Sequence, residues 1–223
     1  MKPKILYKDS DLLITMKPAG VPSQPDTTGQ ADLLTMLQSD HPSASLIHRL
    51  DTPTGGVMVF GLTPKATARL CALVQDHGAF CKEYLAVVSS PLAASEGRFV
   101  DFLFHDRQKN KAYVTDGKRK GSKEAVLDCR VLSSLPDGHT LVLVRLHTGR
   151  THQIRVQFAS RGLPLVGDGK YGSREKVPFI GLWAYRLTFP HPISGKKISV
   201  SACPDLEIAP WGLFSDAFSS INQ

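Results

Sequence analysis

Apolar residues recur along the chain with the spacing of short strands and a few helices. Residues 5–17 predict a β-hairpin in which two apolar runs flank a polar turn at 8–11. Leucines at helical spacing predict a helix within residues 31–38, and the continuous apolar run 57–62 predicts a short buried strand. The first part of the chain is therefore predicted to alternate strand and helix.

The clearest helix signal follows this strand. Thr63 and Pro64 are a typical N-cap and first-turn residue, and apolar residues from Ala66 to Val74 form one stripe. Gly78 marks the expected end of the helix.

The second half of the chain is predicted to be rich in strands. They lie at residues 84–88, 125–132 and 141–146, and a turn at 136–139 joins the last two. The segment 104–121 lacks a sustained apolar period, so we expect a loop or an exposed hairpin there.

Residues 151–162 have two interpretations. Thr151 is placed to cap a helix that buries Ile154 and Phe158 and ends at Gly162. The same apolar residues also belong to an alternating run that suits a strand. We favour the helix.

Strands interrupted by a few helices, without an internal repeat or linker, predict a single α+β domain over residues 1–223. The chain has 27 Lys and Arg against 20 Asp and Glu, a formal net charge of +7. Residues 105–124 carry +4 and residues 145–176 carry +5, which leaves −2 for the rest. Such concentrated basicity favours a polyanionic partner.

The cysteines and the N-terminus bear on the cellular compartment. Cys71, Cys81, Cys129 and Cys203 have no paired spacing, so we expect free thiols in a reducing cytoplasm. The N-terminus lacks the apolar core of a signal peptide, and no apolar run is long enough for a membrane span. The prediction is a cytoplasmic protein that does not bind a membrane.

Two possible ligand-binding patterns are weak. The glycines of residues 167–172 match the spacing of a dinucleotide-binding loop, but the preceding run is a poor strand and Pro178 interrupts any following helix. A glycine-rich turn is the better interpretation, and no cofactor is expected. A zinc site of Cys71, His77 and Cys81 is an alternative without a recognised ligand spacing, so no metal is expected either.

Two polar clusters carry candidate chemistry. His-Arg-Leu-Asp at residues 48–51 precedes a Pro- and Gly-rich turn beside the strand at 57–62. Such a turn can hold a carboxylate rigidly in position to act as a nucleophile or a base. A turn stabilised by an Asp–Arg pair is the alternative. In the second cluster, Thr-Gly-Arg-Thr-His-Gln-Ile-Arg at 148–155, polar side chains interrupt a buried stripe, and a solvated basic face is the alternative.

Together the two clusters resemble the RluA-like family of pseudouridine synthases. The family hallmark is His-Arg-Leu-Asp followed after two residues by Thr-Ser-Gly, and this chain has Thr-Gly-Gly at 54–56. Gly55 stands where Ser is usual, and Trp183 stands where His is usual. Further matches in the same order extend the likeness over roughly residues 5–205, at 17–20, 82–87, 148–155, 167–172 and 182–192.

The resemblance implies an α+β pseudouridine synthase fold, with a central mixed, largely antiparallel sheet flanked by helices and loops. It implies a cofactor-free isomerase that cuts the glycosidic bond of a uridine in ribosomal or transfer RNA, rotates the uracil and rejoins it through carbon 5. Only four residues precede Ile5, so a catalytic domain without an N-terminal RNA-binding domain is expected. A monomer without an obligate protein partner is the default.

The resemblance also implies roles for individual residues. Asp51 matches the essential aspartate, Arg155 the arginine that pairs with it, and Tyr84 the tyrosine packed against the target base. Arg49 matches the arginine that enters the RNA where the flipped base has left. Base flipping is expected because a base inside a stem cannot reach a carboxylate.

Other residues are candidate RNA contacts. Ile154 and Leu182 are candidate apolar walls of the base pocket, with ordinary core packing as the alternative. The remaining polar candidates of the two clusters are His48, Arg150, His152 and Gln153. The basic run expected to contact phosphates, for which a solvated face is the alternative, includes Lys118, Arg119 and Lys120.

Two rival functions remain. A non-catalytic RNA-binding module would not need Asp51, Tyr84 and Arg155 together. A metal-dependent nucleobase deaminase would need paired Cys ligands, which the sequence lacks.

Overall fold

The computed structural model describes residues 2–76 and 78–221. The strands are, in chain order, β1 (Lys4–Lys8), β2 (Leu12–Lys17), β3 (Ser45–Leu46), β4 (Gly55–Gly61), β5 (Cys81–Val88), β6 (Glu96–Asp106), β7 (Lys111–Thr115), β8 (Lys123–Ser134), β9 (Thr140–Leu146), β10 (Leu182–Pro190) and β11 (Lys197–Ser201). The helices are α1 (Leu33–Gln38), α2 (Pro64–Gln75), α3 (Gln153–Ala159) and α4 (Ser215–Ile221), and short 3₁₀ turns lie at Gly169–Tyr171 and Trp211–Phe214.

Residue contacts divide the chain into two compact units. The first unit is Met1–Lys82 with Trp183–Pro204, and the second unit is Glu83–Leu182 with Asp205–Gln223. A single domain over residues 1–223 stays a prediction.

The first unit contains a mixed sheet. β1 pairs with β2, β2 and β3 with β4, and β10 with β11, all antiparallel, whereas β4 and β10 run parallel. The predicted hairpin at 5–17 is confirmed as β1 and β2. The predicted helix after Thr63 is confirmed as α2, whose first turn donates the Ala66 N–H to the Thr63 hydroxyl at 3.2 Å.

Apolar side chains from both sequence segments of the first unit form its core. Leu70 and Val74 of α2 pack with the strand residues Val57, Leu187 and others. The rings of Phe80 and Phe189 stack with their centroids 4.8 Å apart.

The second unit contains a sheet in the order β5-β9-β8-β6-β7. Its β6–β7, β6–β8 and β8–β9 pairs are antiparallel. Helix α3 packs on one face, where the Phe158 ring meets Phe99 edge-on and the Gln157 amide donates to Asp101 at 2.7 Å.

Most of the predicted strands and helices are confirmed, and the mostly antiparallel strands with few helices confirm the α+β class. Residues 153–159 form a helix rather than a strand. The basic segment forms an exposed hairpin made by the end of β6 and by β7. Two long strands, β6 and β10, were not predicted. In β6 the apolar Val100 and Phe102 are exposed while Asp101 is half-buried, so the strand lacks the usual alternation of buried apolar and exposed polar residues.

The predicted N-cap at Thr151 is wrong. A turn closed by the Gln153 N–H and the Arg150 carbonyl at 3.1 Å precedes the helix, so the N-cap is His152. This residue has a left-handed backbone with φ 54° and makes no side-chain cap. Left-handed backbone is uncommon for residues other than Gly, so tertiary contacts hold it.

Among the described residues, no helix has the length and apolar character needed to cross a membrane.

Candidate active site

Asp51 lies on the loop between β3 and β4, and its neighbour Leu50 anchors that loop. The Leu50 side chain is buried, and the Leu50 N–H and carbonyl both bond the Ser23 hydroxyl, at 3.1 and 2.9 Å. The Thr54 N–H donates to the Asp51 carbonyl at 2.9 Å and closes a turn in front of β4. The Asp51 backbone is therefore held on both sides, while its side chain is half-buried and that of Arg49 is exposed.

Lys17 ties this loop to the Lys-Pro-Ala-Gly motif. Its side chain is fully buried, and the three ammonium N–H groups donate to the carbonyls of Pro18, Val21 and Thr52 at 3.0, 2.5 and 3.1 Å. Burial lowers the pKa of Lys17 to about 7, and the nearby Asp51 charge offsets part of that decrease. Lys17 thereby fixes the residue that follows Asp51.

His48 begins the same loop as a neutral ring. Its Nε2 accepts the Val59 N–H of β4 at 3.3 Å, and its ring meets Phe80 edge-on. Burial, together with the charge of Lys82, lowers the pKa of His48 to about 3. The ring contacts assign it to holding the loop on β4, and its contact with RNA stays a prediction.

Gly55 and Trp183, the two departures from the family pattern, lie against each other. A Cβ atom on Gly55 would lie 2.3 Å from the Trp183 ring, so no side chain fits at residue 55 beside this tryptophan. Trp183 lies opposite Gly55 in the parallel β4–β10 pair, and its indole N–H donates to the Ala202 carbonyl at 2.7 Å. The glycine at one position and the large ring at the other therefore compensate.

In the second unit, Gln153 holds the turn before α3. Its side-chain carbonyl accepts from the Thr148 hydroxyl at 2.8 Å and from the Arg150 N–H at 3.0 Å, and its amide donates to the Val126 carbonyl at 3.1 Å. The Arg150 guanidinium donates to the Glu124 carbonyl at 2.9 Å. This turn is thus bonded to β8, and RNA contact by Gln153 and Arg150 stays a prediction.

Arg155 is buried on α3 and has a carboxylate partner that the sequence did not single out. Its Nε and Nη2 donate to the two oxygens of the buried Asp168 at 2.6 and 2.8 Å. Such a two-bond pair fixes the plane of the guanidinium and uses one of its two edges. The pairing of Arg155 with Asp51 stays a prediction.

The position of Asp168 explains the glycines around it. Asp168 precedes the 3₁₀ turn Gly169–Tyr171, and Gly167 and Gly172 have positive φ angles of 77° and 99°. The glycine-rich turn is confirmed, and no long helix follows it. The acidic residue between two glycines was the signal available in the sequence, and its burial was not.

Tyr171 in the same turn connects three elements. Its hydroxyl accepts the Ala112 N–H of β7 at 2.8 Å and forms a hydrogen bond with Nδ1 of His152, also at 2.8 Å. The Arg155 guanidinium lies 5.1 Å from the centre of the Tyr171 ring. These contacts fix the orientation of the His152 ring and hold its left-handed backbone.

The remaining predicted site residues occupy four places in the second unit. Tyr84 is buried in β5, Ile154 is buried in α3 and Leu182 is buried at the start of β10. Lys118, Arg119 and Lys120 are exposed on the loop between β7 and β8. Their contacts with a substrate stay predictions.

Asp9, Asp11 and His191 form a cluster whose ligand atoms lie within 4.8 Å of one another. Nδ1 of His191 accepts the N–H groups of Ile193 and Ser194 at 3.1 and 3.0 Å, so the ring proton is on Nε2 and donates to Asp9 at 3.0 Å. A metal on Nε2 would need that proton moved to Nδ1, against two N–H donors. The cluster therefore fits a hydrogen-bonded turn and does not fit a metal.

No disulfide joins the cysteines within the described ranges. His77 of the zinc alternative lies outside the described residues.

Comparison with known proteins identifies the family. The family model described as RNA pseudouridylate synthase matches residues 11–160. The dual-specificity RNA pseudouridine synthase RluA of Yersinia pestis is 34% identical over 199 residues, covering 86% of this chain and 94% of the relative. Its counterpart from Escherichia coli strain K12 is 32% identical over 210 residues, covering 90% and 93%.

A solved structure supports the fold. Human RNA pseudouridylate synthase domain containing 1 has a TM-score of 0.79 at 24% identity, covering 94% of this chain and 86% of that one. The matched residues 11–160 include the Asp51 loop and the Arg155 helix. The chain therefore belongs to the RNA pseudouridylate synthase family, in its RluA-like branch.

Proposed function

We propose that this protein isomerises specific uridines of ribosomal or transfer RNA to pseudouridine, with Asp51 as the catalytic residue. The observation that carries the proposal is the fixed backbone of Asp51, whose loop is held by hydrogen bonds from Ser23, Lys17 and the Thr54 turn. Family membership and the names of the relatives, which are RNA pseudouridine synthases, support the reaction class.

The chemistry suits an anchored carboxylate. The bond between N1 of uracil and C1′ of ribose breaks, the uracil rotates, and a bond forms from C5 to C1′. C5 then loses its proton to solvent and N1 gains one, so the product is an isomer of uridine. An ionised carboxylate can attack C1′ or stabilise positive charge that develops there, as in glycosidases. Because the carboxylate must reach a fixed carbon atom, a rigid backbone at Asp51 lowers the cost of reaching the reactive geometry.

Arg155 and Tyr84 complete the proposed catalytic set. Asp168 binds the Nε and Nη2 edge of the Arg155 guanidinium and so fixes the plane of this side chain. We assign to Arg155 the pairing with Asp51 that the family resemblance implies. Tyr84 offers an aromatic face to hold the uracil and a hydroxyl for proton transfer.

RNA binding is proposed to combine base flipping with phosphate contacts. Exposed Arg49 enters the stack where the target base has left, and exposed Lys118, Arg119 and Lys120 bind phosphates. His48, Arg150, His152 and Gln153 frame the site, and Ile154 and Leu182 wall the base pocket. The relatives' names cover dual-specificity and large-subunit ribosomal enzymes, which supports a structured RNA substrate.

We further propose a cytoplasmic monomer that needs no cofactor and no protein partner. Cysteines without a disulfide in the described chain support a reducing compartment.

Tritium release tests the catalytic proposal and both rival functions. RNA labelled with tritium at C5 of uracil should lose label to water in the presence of chelator, since no metal takes part. Asp51→Ala should abolish release, whereas Asp40→Ala, an exposed aspartate paired with Lys2, should leave it unchanged. Retained release by Asp51→Ala would contradict the catalytic role of Asp51. RNA binding without release by the wild type would favour a binding module, and chelator-sensitive conversion of cytidine would favour a deaminase.

A further inference from the structure

The strand β6 has two different faces. Its odd-numbered residues Phe99 and Asp101 contact α3 through Phe158 and Gln157. Side chains alternate along a strand, so the even-numbered residues point to the opposite face of the sheet.

This opposite face, the Phe102 face, consists of Arg98, Val100, Phe102 and Phe104 with their cross-strand neighbours. Val100 is 51% exposed and Phe102 is 41% exposed. Antiparallel partners share a face, so Thr115 and Tyr113 of β7 lie beside Phe102 and Phe104. Two adjacent apolar side chains open to solvent on a sheet are uncommon without a partner.

Arginines frame the exposed rings. The Arg119 guanidinium lies 3.5 Å from the centre of the Phe104 ring, in a stacked position. Register places Arg98 beside Asp128 and Asp128 beside Arg145 on the same face. Asp128 is already paired, with His147 at 2.5 Å and with Arg98 at 3.8 Å.

The loop that carries the basic run rests on these rings. A Cβ on Gly117 would lie 2.9, 3.0 and 3.2 Å from three adjacent atoms of the Phe102 ring, so the loop backbone lies against one face of that ring and leaves the other face for a ligand. Lys118 and Lys120 are therefore carried next to an exposed aromatic surface and are themselves exposed.

We propose that the Phe102 face binds an unpaired nucleotide of the RNA substrate, with its base stacked on Phe102 and its phosphates held by Arg119, Lys118 and Lys120. An exposed aromatic ring on a sheet beside cations is the arrangement by which proteins bind single-stranded RNA, because every base offers a π face. Duplex RNA keeps its bases stacked inside and cannot use such a ring. The inference rests on the RNA substrate of the proposed function.

A second copy of the chain fits this surface less well. Arg98, Arg119 and Arg145 would meet their own copies across a symmetric interface, and like charges repel. A polyanion meets the same charges favourably.

A binding experiment separates stacking from hydrophobic contact and from fold effects. Short single-stranded oligouridine is titrated into wild type, Phe102→Leu, Phe102→Tyr and the control Leu213→Ala, which alters another exposed apolar residue of the second unit. Phe102→Leu keeps the apolar volume but removes the ring, so the Kd should rise about tenfold. Phe102→Tyr keeps the ring and should stay within about twofold of wild type, as should Leu213→Ala.

Three results would overturn the proposal. They are wild-type affinity in Phe102→Leu, equal competition by duplex and single-stranded RNA, and a change in sedimentation of the RNA-free protein from dimer to monomer with Phe102→Leu. Tritium release measured on the same variants keeps the two proposals distinguishable. If the wild type releases label and Phe102→Leu binds oligouridine normally, only this inference is overturned. If the wild type releases no label, the proposed function is overturned.

Discussion

Single buried residues set the electrostatics proposed for the reaction. Arg155 and Asp168 are both almost fully buried and form a two-bond pair in the second unit. The pair compensates the desolvation of each charge, so neither residue is independent of the other.

Asp168→Asn should therefore destabilise the protein strongly. The carboxylate charge and one of the two acceptors are lost while Arg155 stays buried, and the free energy of unfolding should fall by about 3–5 kcal/mol. Chemical denaturation measures this change. Asp101→Asn is the matched control, because Asp101 pairs with Arg161 just after the same helix in a more exposed setting, and it should cost about 1 kcal/mol. Equal losses in the two variants would contradict the special role of the Asp168 pair.

Lys17 gives a second prediction, for the pH dependence of stability. Its pKa is lowered from 10.5 to about 7 in the folded protein, so between these values the unfolded chain binds more protons than the folded one. The free energy of unfolding should then rise with pH across this window, by roughly 3–5 kcal/mol in total from this group. Lys17→Met removes the group, so the free energy of unfolding of the wild type minus that of the variant should rise from pH 7 to pH 9.5. A difference that is constant with pH would contradict the lowered pKa.

At the scale of elements, the parallel pairing of β4 and β10 couples two sites that are far apart in sequence. Trp183 of β10 fills the space that a side chain on Gly55 would need. The strand pairing therefore makes the residue that fits at position 55 depend on the residue at position 183.

A double-mutant cycle tests this coupling. Gly55→Ser alone should destabilise the protein by about 1–3 kcal/mol, since the new side chain overlaps the tryptophan ring. In Trp183→His the smaller ring leaves room, so adding Gly55→Ser should cost about 1 kcal/mol less than in the wild type. Thermal or urea unfolding of the four proteins gives the interaction energy, and a value near zero would mean that the two departures are independent.

At the scale of the whole molecule, the net charge of +7 is concentrated in two segments. The +5 segment contains Arg155 and Arg161, which are paired with carboxylates, so part of its charge is internal. The +4 segment lies on the β6–β7 hairpin and the loop after it, where Lys118, Arg119 and Lys120 are exposed.

Lys118→Ala combined with Lys120→Ala should therefore weaken RNA binding and flatten its salt dependence. Loss of two phosphate contacts should reduce the slope of log Kd against log salt concentration by about 1.4 for a single-stranded probe. Lys196→Ala with Lys197→Ala removes two exposed charges from the first unit and should leave the slope unchanged. The same slope in both double variants would assign the basic run to a solvated face.

Local signals in the sequence determined much of the secondary structure and the candidate nucleophile. Cap and spacing rules were sufficient for α2, since Thr63, Pro64 and the apolar stripe act within one helix. The Asp51 motif was equally readable, because its Pro- and Gly-rich turn is a contiguous segment. The positive charge is also concentrated in contiguous segments of the sequence, and this concentration predicted a polyanionic partner.

Only the tertiary structure decided which distant residues act on these local features. The Asp168 partner of Arg155, the three carbonyls around Lys17, the Trp183 ring against Gly55 and the left-handed His152 all depend on contacts between segments far apart in the chain. Sequence spacing carries the period of a helix or strand, but it does not specify which elements pack together. Pairing of buried charges and filling of space follow from that packing, and the structure was needed to assign them.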